Sequence, residues 1–197
     1  KSLAMGIIKK IEENNCIISL WEINETLDAL MQLSANRKIP DFTNEKRKKE
    51  HLTSRLLLNK INPNTTISYN EFGAPILDNN LHISISHSKN LVAIIISEQQ
   101  VGMDIEAISE KALRLAPKFV SEKTRTTLNK EKATLIWCLK EAVFKWHQKG
   151  KVDFIKDIII PPFIAEEKGQ IKAQFKKKEL ILNYQKINTH YLAYVCN

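Results

Sequence analysis

The sequence predicts an α+β fold of two similar halves, each a mostly antiparallel sheet packed with helices. Three observations carry this reading. Short β-rich runs bounded by turn residues cluster in two places, around residues 66–107 and 154–196. Long helical patterns precede each cluster. The chain has 197 residues and is 43% hydrophobic, enough for a packed core and too much for disorder.

Taken in order, the elements are as follows. Residues 1–4 precede Met5 and are given no part in the fold, and Lys1–Asn15 is too charged for a secretory signal. Cys16–Trp21, rich in Ile and ending in an aromatic, predicts a strand. Asn24 is placed to cap a helix from Glu25 to Leu33, with Leu27, Leu30 and Met31 apolar. Pro40 breaks the chain, and Thr43 or Asn44 opens a second helix reaching Asn59. On it Leu52 and Leu56 face a core, while Arg47, His51 and Arg55 recur every four residues on another face. Thr66–Tyr69 is a strand and Gly73-Ala74-Pro75 a turn. His82–Ser86, Leu91–Ser97 and Val101–Ala107 predict an antiparallel meander with tight links at His87–Asn90 and Glu98–Gln100. The run from Leu91 to Ile96 is apolar on both faces and belongs in a central strand. Helical stretches follow at Glu110–Leu128, interrupted near Pro117, and at Lys130–Gln148. Strands at Phe154–Ile160, Gln170–Phe175, Leu180–Tyr184 and Tyr191–Cys196 complete the chain. The seam falls near Gln99–Val101, giving halves at 5–99 and 100–197.

Composition bounds the function. No apolar run approaches the ~20 residues of a membrane helix, so no membrane partner is expected. Three widely spaced cysteines, Cys16, Cys138 and Cys196, make neither a disulfide framework nor a zinc pattern. They predict a reducing, cytoplasmic setting. The net charge of +8 favours anionic partners, although the Lys176-Lys177-Lys178 run reads as a solvated turn.

Two stretches carry the chemistry. In a strand, Asp104 and Glu106 point to one face, ~6.5–7 Å apart, while Val101, Met103 and Ile105 point to the other. Two like charges there repel unless a cation lies between them, and Mg²⁺ takes oxygen ligands and substrate phosphate. The same spacing also suits a solvated outer face. On the long helix Leu135, Leu139, Ala142 and Trp146 form one apolar stripe, and Trp137 and Phe144 lie nearly opposite. Glu141 and Lys145, four apart between these faces, are either a surface ion pair or a functional pair near the interior. Ser86-His87-Ser88, with Ser84 before it, offers hydroxyls, amides and an imidazole to phosphate oxygens, or else forms an ordinary hydrogen-bonded turn. A serine nucleophile is disfavoured, because no Gly-x-Ser-x-Gly elbow is present. Arg47, His51 and Arg55 form either a phosphate-binding helix face or a solvated basic one.

In order and spacing, Ser86-His87-Ser88, Gly102-x-Asp104-x-Glu106 and Trp137-x-x-Lys140-Glu141-Ala142-x-x-Lys145 resemble the motifs of the 4′-phosphopantetheinyl transferases. The resemblance runs from about Arg47 to Lys151, and Lys118-Phe119-Val120-Ser121 is similar to the family's aromatic element before the long helix. The length resembles the surfactin-synthetase-activating type, which is a monomer of two pseudo-two-fold-related halves with the site between them. The shorter acyl-carrier-protein synthase type is a trimer.

The resemblance implies transfer of phosphopantetheine from coenzyme A to a serine of an apo-acyl or peptidyl carrier protein, releasing adenosine 3′,5′-bisphosphate. It implies Asp104, Glu106 and Glu141 as ligands of Mg²⁺, or of Mn²⁺ in its place. It makes Glu141 the base and Lys145 the group that stabilises phosphate charge or protonates the leaving group, with Asp104 completing the catalytic set. Arg47, Arg55, Ser86, His87 and Lys140 are implied at the coenzyme A phosphates. One departure stands out: Gly73-Ala74-Pro75 replaces the family's Gly-Lys-Pro, leaving Lys38, Arg47 or Lys49 to compensate. Two other classes compete. A relative that binds carrier protein without catalysis would not need the full acidic set. A basic nucleic-acid-binding protein needs stacking aromatics beside a basic stripe. Only 7% of residues are aromatic, and Trp137, Phe144 and Trp146 are committed to the core, so nucleic acid is not expected.

Overall fold

The computed structural model describes residues 6–35 and 39–197; residues 1–5 and Lys38 lie outside the described residues. Two sheet-and-helix regions make the α+β architecture. The first sheet is antiparallel throughout, in the order β1 (Ile7–Glu13), β2 (Cys16–Glu22), β6 (Leu91–Ser97), β5 (His82–Ser88). Strand β6 lies inside the sheet with every residue buried, as its unbroken apolar run predicts. Strand β1 escapes the sequence reading because its charged residues mask a half-buried edge strand. Its signal was the Asn14-Asn15 pair, which turns the hairpin with both residues at positive φ (53° and 59°).

Helix α1 (Leu27–Leu33) starts later than expected. Thr26, not Asn24, caps it, its hydroxyl accepting the Ala29 N–H at 3.2 Å, while the Glu25 carboxylate is drawn to the Trp21 indole. Helix α2 (Glu45–Ile61) starts at Asn44, whose side chain accepts the Lys46 N–H at 2.8 Å. It buries Leu52, Leu57 and Leu58, while Leu56, expected in the core, is only half-buried. A small hairpin of β3 (Ile67–Tyr69) and β4 (Pro75–Leu77) turns through Gly73, at φ +78°.

Strand β7 (Val101–Ala107) corrects the predicted meander. It leaves the first sheet and pairs with β11 (His190–Cys196), setting Asp104 opposite Ala193. The second sheet runs β7, β11, β10 (Lys178–Ile187), β9 (Lys168–Phe175), β8 (Ile158–Ile159). The cause is burial on both faces of β7. Val101, Met103 and Ile105 enter an apolar cluster with β2 and β6, while helix α5 (Lys130–His147) covers the opposite face. The edge N–H groups of β7 that a meander neighbour would have taken go to serine hydroxyls of β5. Met103 N donates to Ser84 Oγ (3.0 Å), Ile105 N to Ser86 Oγ (3.2 Å) and Ala107 N to Ser88 Oγ (2.9 Å). The every-second-residue spacing of these serines matches the strand period and joins the sheets without leaving buried donors unpaired.

Pro117 breaks the predicted helix into α3 (Glu110–Leu115), a 3-10 turn at Ala116–Lys118, and α4 (Glu122–Arg125). The predicted strand Phe154–Ile160 shrinks to Ile158–Ile159, because the Asp153 carboxylate accepts the Ile155 and Lys156 N–H groups and holds a turn. Helix α5 is clasped from both sides, as its two apolar faces require. Leu135, Leu139, Ala142 and Trp146 sink into the second sheet's core. Trp137 stacks on Phe154 with ring centroids 5.5 Å apart. Lys176 and Lys177 are an exposed turn. Among the described residues no helix is long and apolar enough to cross a membrane.

Candidate active site

Helix α5 crosses β7 at Gly102, where there is no room for a side chain. This close approach brings the two chemical stretches together. Asp104 is buried, and its Oδ1 accepts hydrogen bonds from Ser86 Oγ at 2.7 Å and Lys145 Nζ at 2.6 Å. Lys145 Nζ also donates to Ser86 Oγ at 2.9 Å, closing a triangle. The Ser86 hydroxyl is thereby fully engaged, donating to Asp104 and accepting from Lys145 and Ile105. The surface pairing of Lys145 with Glu141 is replaced by this partly buried pair with Asp104.

Glu106 accepts the Trp137 indole N–H at 3.2 Å. Burial, then the charge of Asp104, pushes the Glu106 carboxyl above its ordinary value. Glu141 is pushed up to about 7, by burial first and then by Asp104, with Lys145 opposing and Glu106 adding. The three carboxylates therefore feel one another.

The electrostatics give a signed pH prediction. Glu141 is more easily protonated in the folded state, so between its ordinary 4.5 and about 7 the folded chain binds more protons. The resulting destabilisation is absent below 4.5 and complete above about 7. In metal-free buffer, Glu141→Gln should melt above the parent near pH ~8, by on the order of 2 kcal/mol after allowance for partial solvent screening. The gap should close as pH falls towards 4.5. A difference that stays constant with pH would refute this placement of the charge.

Beside the triangle lies a cleft of two adjoining cavities that share Gly73, Pro75 and Ile85. The first, about 240 Å³, is walled by Phe72, Ile83 and Phe144 and reaches Lys145. The second, about 370 Å³, is lined by Arg47, His51, Arg55 and His87. Three of the predicted phosphate contacts, Arg47, Arg55 and His87, thus meet in one cavity. Of the two candidates to replace the family lysine within the described residues, Arg47 lines it and Lys49 does not. Lys140 lines neither cavity: its buried ammonium donates to the Phe154 and Ile158 carbonyls and so secures the 154–158 turn. Burial draws its pKa down to about 8.

Sequence reasoning missed two groups here. Glu50 is buried, with Oε1 3.3 Å from His87 Nδ1, and its signal was an acid inside the basic helix face. Tyr69 accepts the Arg55 guanidinium at 2.6 Å and carried no local signal. Burial lowers both His51, to about 4, and His87, so the cavity's positive charge at neutral pH rests on its arginines.

Among the described residues no three carboxylate, imidazole or thiol groups converge as a formed cation site. The donor set still fits a hard divalent cation. It is oxygen only, the charge of Asp104 raises the pKa of both Glu106 and Glu141, and Asp104 Oδ2 is buried without a hydrogen-bond partner. In this arrangement Lys145 supplies the neutralising charge.

Comparison with known proteins places these features. Residues 100–196 match the family described as the 4′-phosphopantetheinyl transferase superfamily. The chain is 36% identical over 101 residues to the 4′-phosphopantetheinyl transferase gsp of Aneurinibacillus migulanus, a match covering 48% of this chain and 43% of that protein. The chain thus spans less than half the length of the curated relative it matches. The residues Asp104, Glu106, Glu141 and Lys145 all lie within the segment that is similar to the 4′-phosphopantetheinyl transferase superfamily.

Proposed function

We propose that this protein transfers the 4′-phosphopantetheine group of coenzyme A to a serine of an apo-acyl or peptidyl carrier protein. It acts as a cytoplasmic monomer of the surfactin-synthetase-activating type. The supporting observation is the Asp104–Ser86–Lys145 triangle at one end of a cleft whose other cavity holds Arg47 and Arg55. The arginines and His87 bind the phosphates of the nucleotide end, where a guanidinium gives paired, charge-assisted contacts. The apolar wall of Phe72, Ile83 and Phe144 takes the pantetheine arm.

In the reaction the carrier serine oxygen bonds to the pantetheine-side phosphorus. The bridging oxygen of the pyrophosphate leaves with adenosine 3′,5′-bisphosphate. Glu141 accepts the serine proton, directly or through water, a role suited to a carboxylate held near 7. Lys145 Nζ, aimed by Asp104 Oδ1 and Ser86 Oγ, stabilises charge on the leaving oxygens. Asp104, Glu106 and Glu141 would hold Mg²⁺, or Mn²⁺ in its place, which supplies charge neutralisation at the pyrophosphate when bound. The aromatic wall around α5 excludes water and so limits hydrolysis.

The test is incubation with coenzyme A, Mg²⁺ and a panel of apo-carrier proteins. A carrier should gain the mass of phosphopantetheine as adenosine 3′,5′-bisphosphate appears. No gain by any carrier would overturn the activity and favour a relative that binds carrier protein without catalysis.

Carrier recognition carries its own prediction. Exposed Lys111, Arg114, Lys118 and Lys123, with half-buried Arg125, lie on the segment between the acidic pair and α5. They form a basic rim for an acidic carrier, so kcat/KM for the carrier should fall as ionic strength rises. Lys118→Glu should raise KM for the carrier several-fold and leave KM for coenzyme A unchanged. Rates indifferent to salt, with a silent Lys118→Glu, would rule out electrostatic docking.

A further inference from the structure

Two thiols meet where the two sheets face one another. Cys16 opens β2 and stands opposite Ser97 of β6 in the strand register. Cys196, near the end of β11, donates from Sγ to Ser97 Oγ at 3.3 Å. Both border the apolar cluster that packs the first sheet against β7 and β11. Their settings differ: Cys16 is buried and donates to the Glu13 carbonyl at 3.0 Å, whereas Cys196 is partly exposed and reaches Gln99. Each thiol bears on the other. Contact with Cys16 draws Cys196 down to about 6, and contact with Cys196, then burial, pushes Cys16 up. The third thiol, Cys138, is on the buried face of α5 and donates to the Asp104 and Tyr191 carbonyls, apart from this pair.

A partly exposed thiol beside a buried one is the arrangement in which an oxidant reaches the first sulfur and the second resolves it. We propose that Cys16 and Cys196 are a redox modification site, converted by peroxide into a disulfide that ties β2 of the first sheet to β11 of the second. The Cys196 thiolate attacks a peroxide oxygen, the O–O bond breaks, and Cys196 becomes a sulfenic acid as hydroxide leaves. The Cys16 sulfur then attacks the Cys196 sulfur, and the sulfenic oxygen departs as water with the Cys16 proton. The two thiols together lose two electrons to the peroxide, and a dithiol reductant reverses the change. In a reducing setting the pair remains as thiols. Once formed, the bond closes nearly the whole described chain into a loop, which restricts the unfolded state more than the folded one. It lies at the Val101 end of β7, three residues before Asp104.

The test treats the full chain with a small excess of hydrogen peroxide. Intact mass should fall by about 2 Da, and peptide mapping should recover Cys16 joined to Cys196 with Cys138 still open to alkylation after unfolding. The melting temperature should rise by about 5 °C and return on treatment with dithiothreitol. Cys16→Ser or Cys196→Ser should each abolish both changes, and Cys138→Ser should abolish neither. Oxidation of Cys196 to the sulfinic acid with Cys16 still alkylatable, a bond that includes Cys138, or a bond between two chains would overturn the proposal.

Discussion

Asp104→Asn will lower the rate of phosphopantetheine transfer at saturating coenzyme A by a factor of about 100 or more, the loss typical of one preorganised polar group in a transition-state site. The amide keeps the shape of the side chain but removes its charge. Lys145 Nζ then loses its 2.6 Å carboxylate partner, and the Ser86 hydroxyl loses the acceptor that orients it. The unpartnered Oδ2 loses the charge with which it would ligate a cation. The fold should persist, because the Lys145 side chain is 27% exposed and can turn its charge to water. Single-turnover transfer rates and a far-UV melt measure the two effects separately. A near-normal rate in a folded variant would remove Asp104 from the catalytic set.

Gly102→Ala should be the most disruptive single-methyl change on β7. A Cβ there would lie within 2.6 Å of Ala142 O, Trp146 N and Trp146 Cβ, all on α5. Two of these atoms are backbone, so no side-chain rotation relieves the clash and the helix itself must lift. Overpacking of this kind costs about 1–3 kcal/mol and can cost more where backbone must move. The lift also displaces Glu141 and Lys145, which flank the contact, relative to Asp104. A misplacement near 1 Å lowers rate by about a hundredfold. A lower melting temperature together with reduced kcat and little change in KM for coenzyme A is therefore expected. An unchanged melting temperature would mean that α5 does not pass this close to β7.

These two residues mark what could be read locally and what could not. Asp104 and Glu106 share a face because the strand period is two, and β6 is interior because its run is apolar on both faces. Helix α5 is clasped because Trp137 and Phe144 oppose its Leu stripe. Each of these is a property of one segment, set by backbone period and side-chain polarity, and the sequence by itself determined it. The order and spacing of the motifs also carry the resemblance to the family that residues 100–196 match.

The remaining features depended on neighbours. Nothing in Glu98–Gln100 says that β7 will leave its meander for β11; that follows from the apolar surface on both sides of β7, which two sheets and a helix must share. The serines of β5 read as phosphate ligands or as an ordinary turn; that their hydroxyls also take the N–H groups of β7 at the same spacing depends on β7 lying beside them. Lys145 chose Asp104 over Glu141, and Lys140 turned to the 154–158 carbonyls, because a buried ammonium goes to whichever acceptor the packing brings within reach. Only tertiary structure decided these points: hydrogen-bond and ion-pair partners are settled by which elements exclude water together, and that information lies in no single segment.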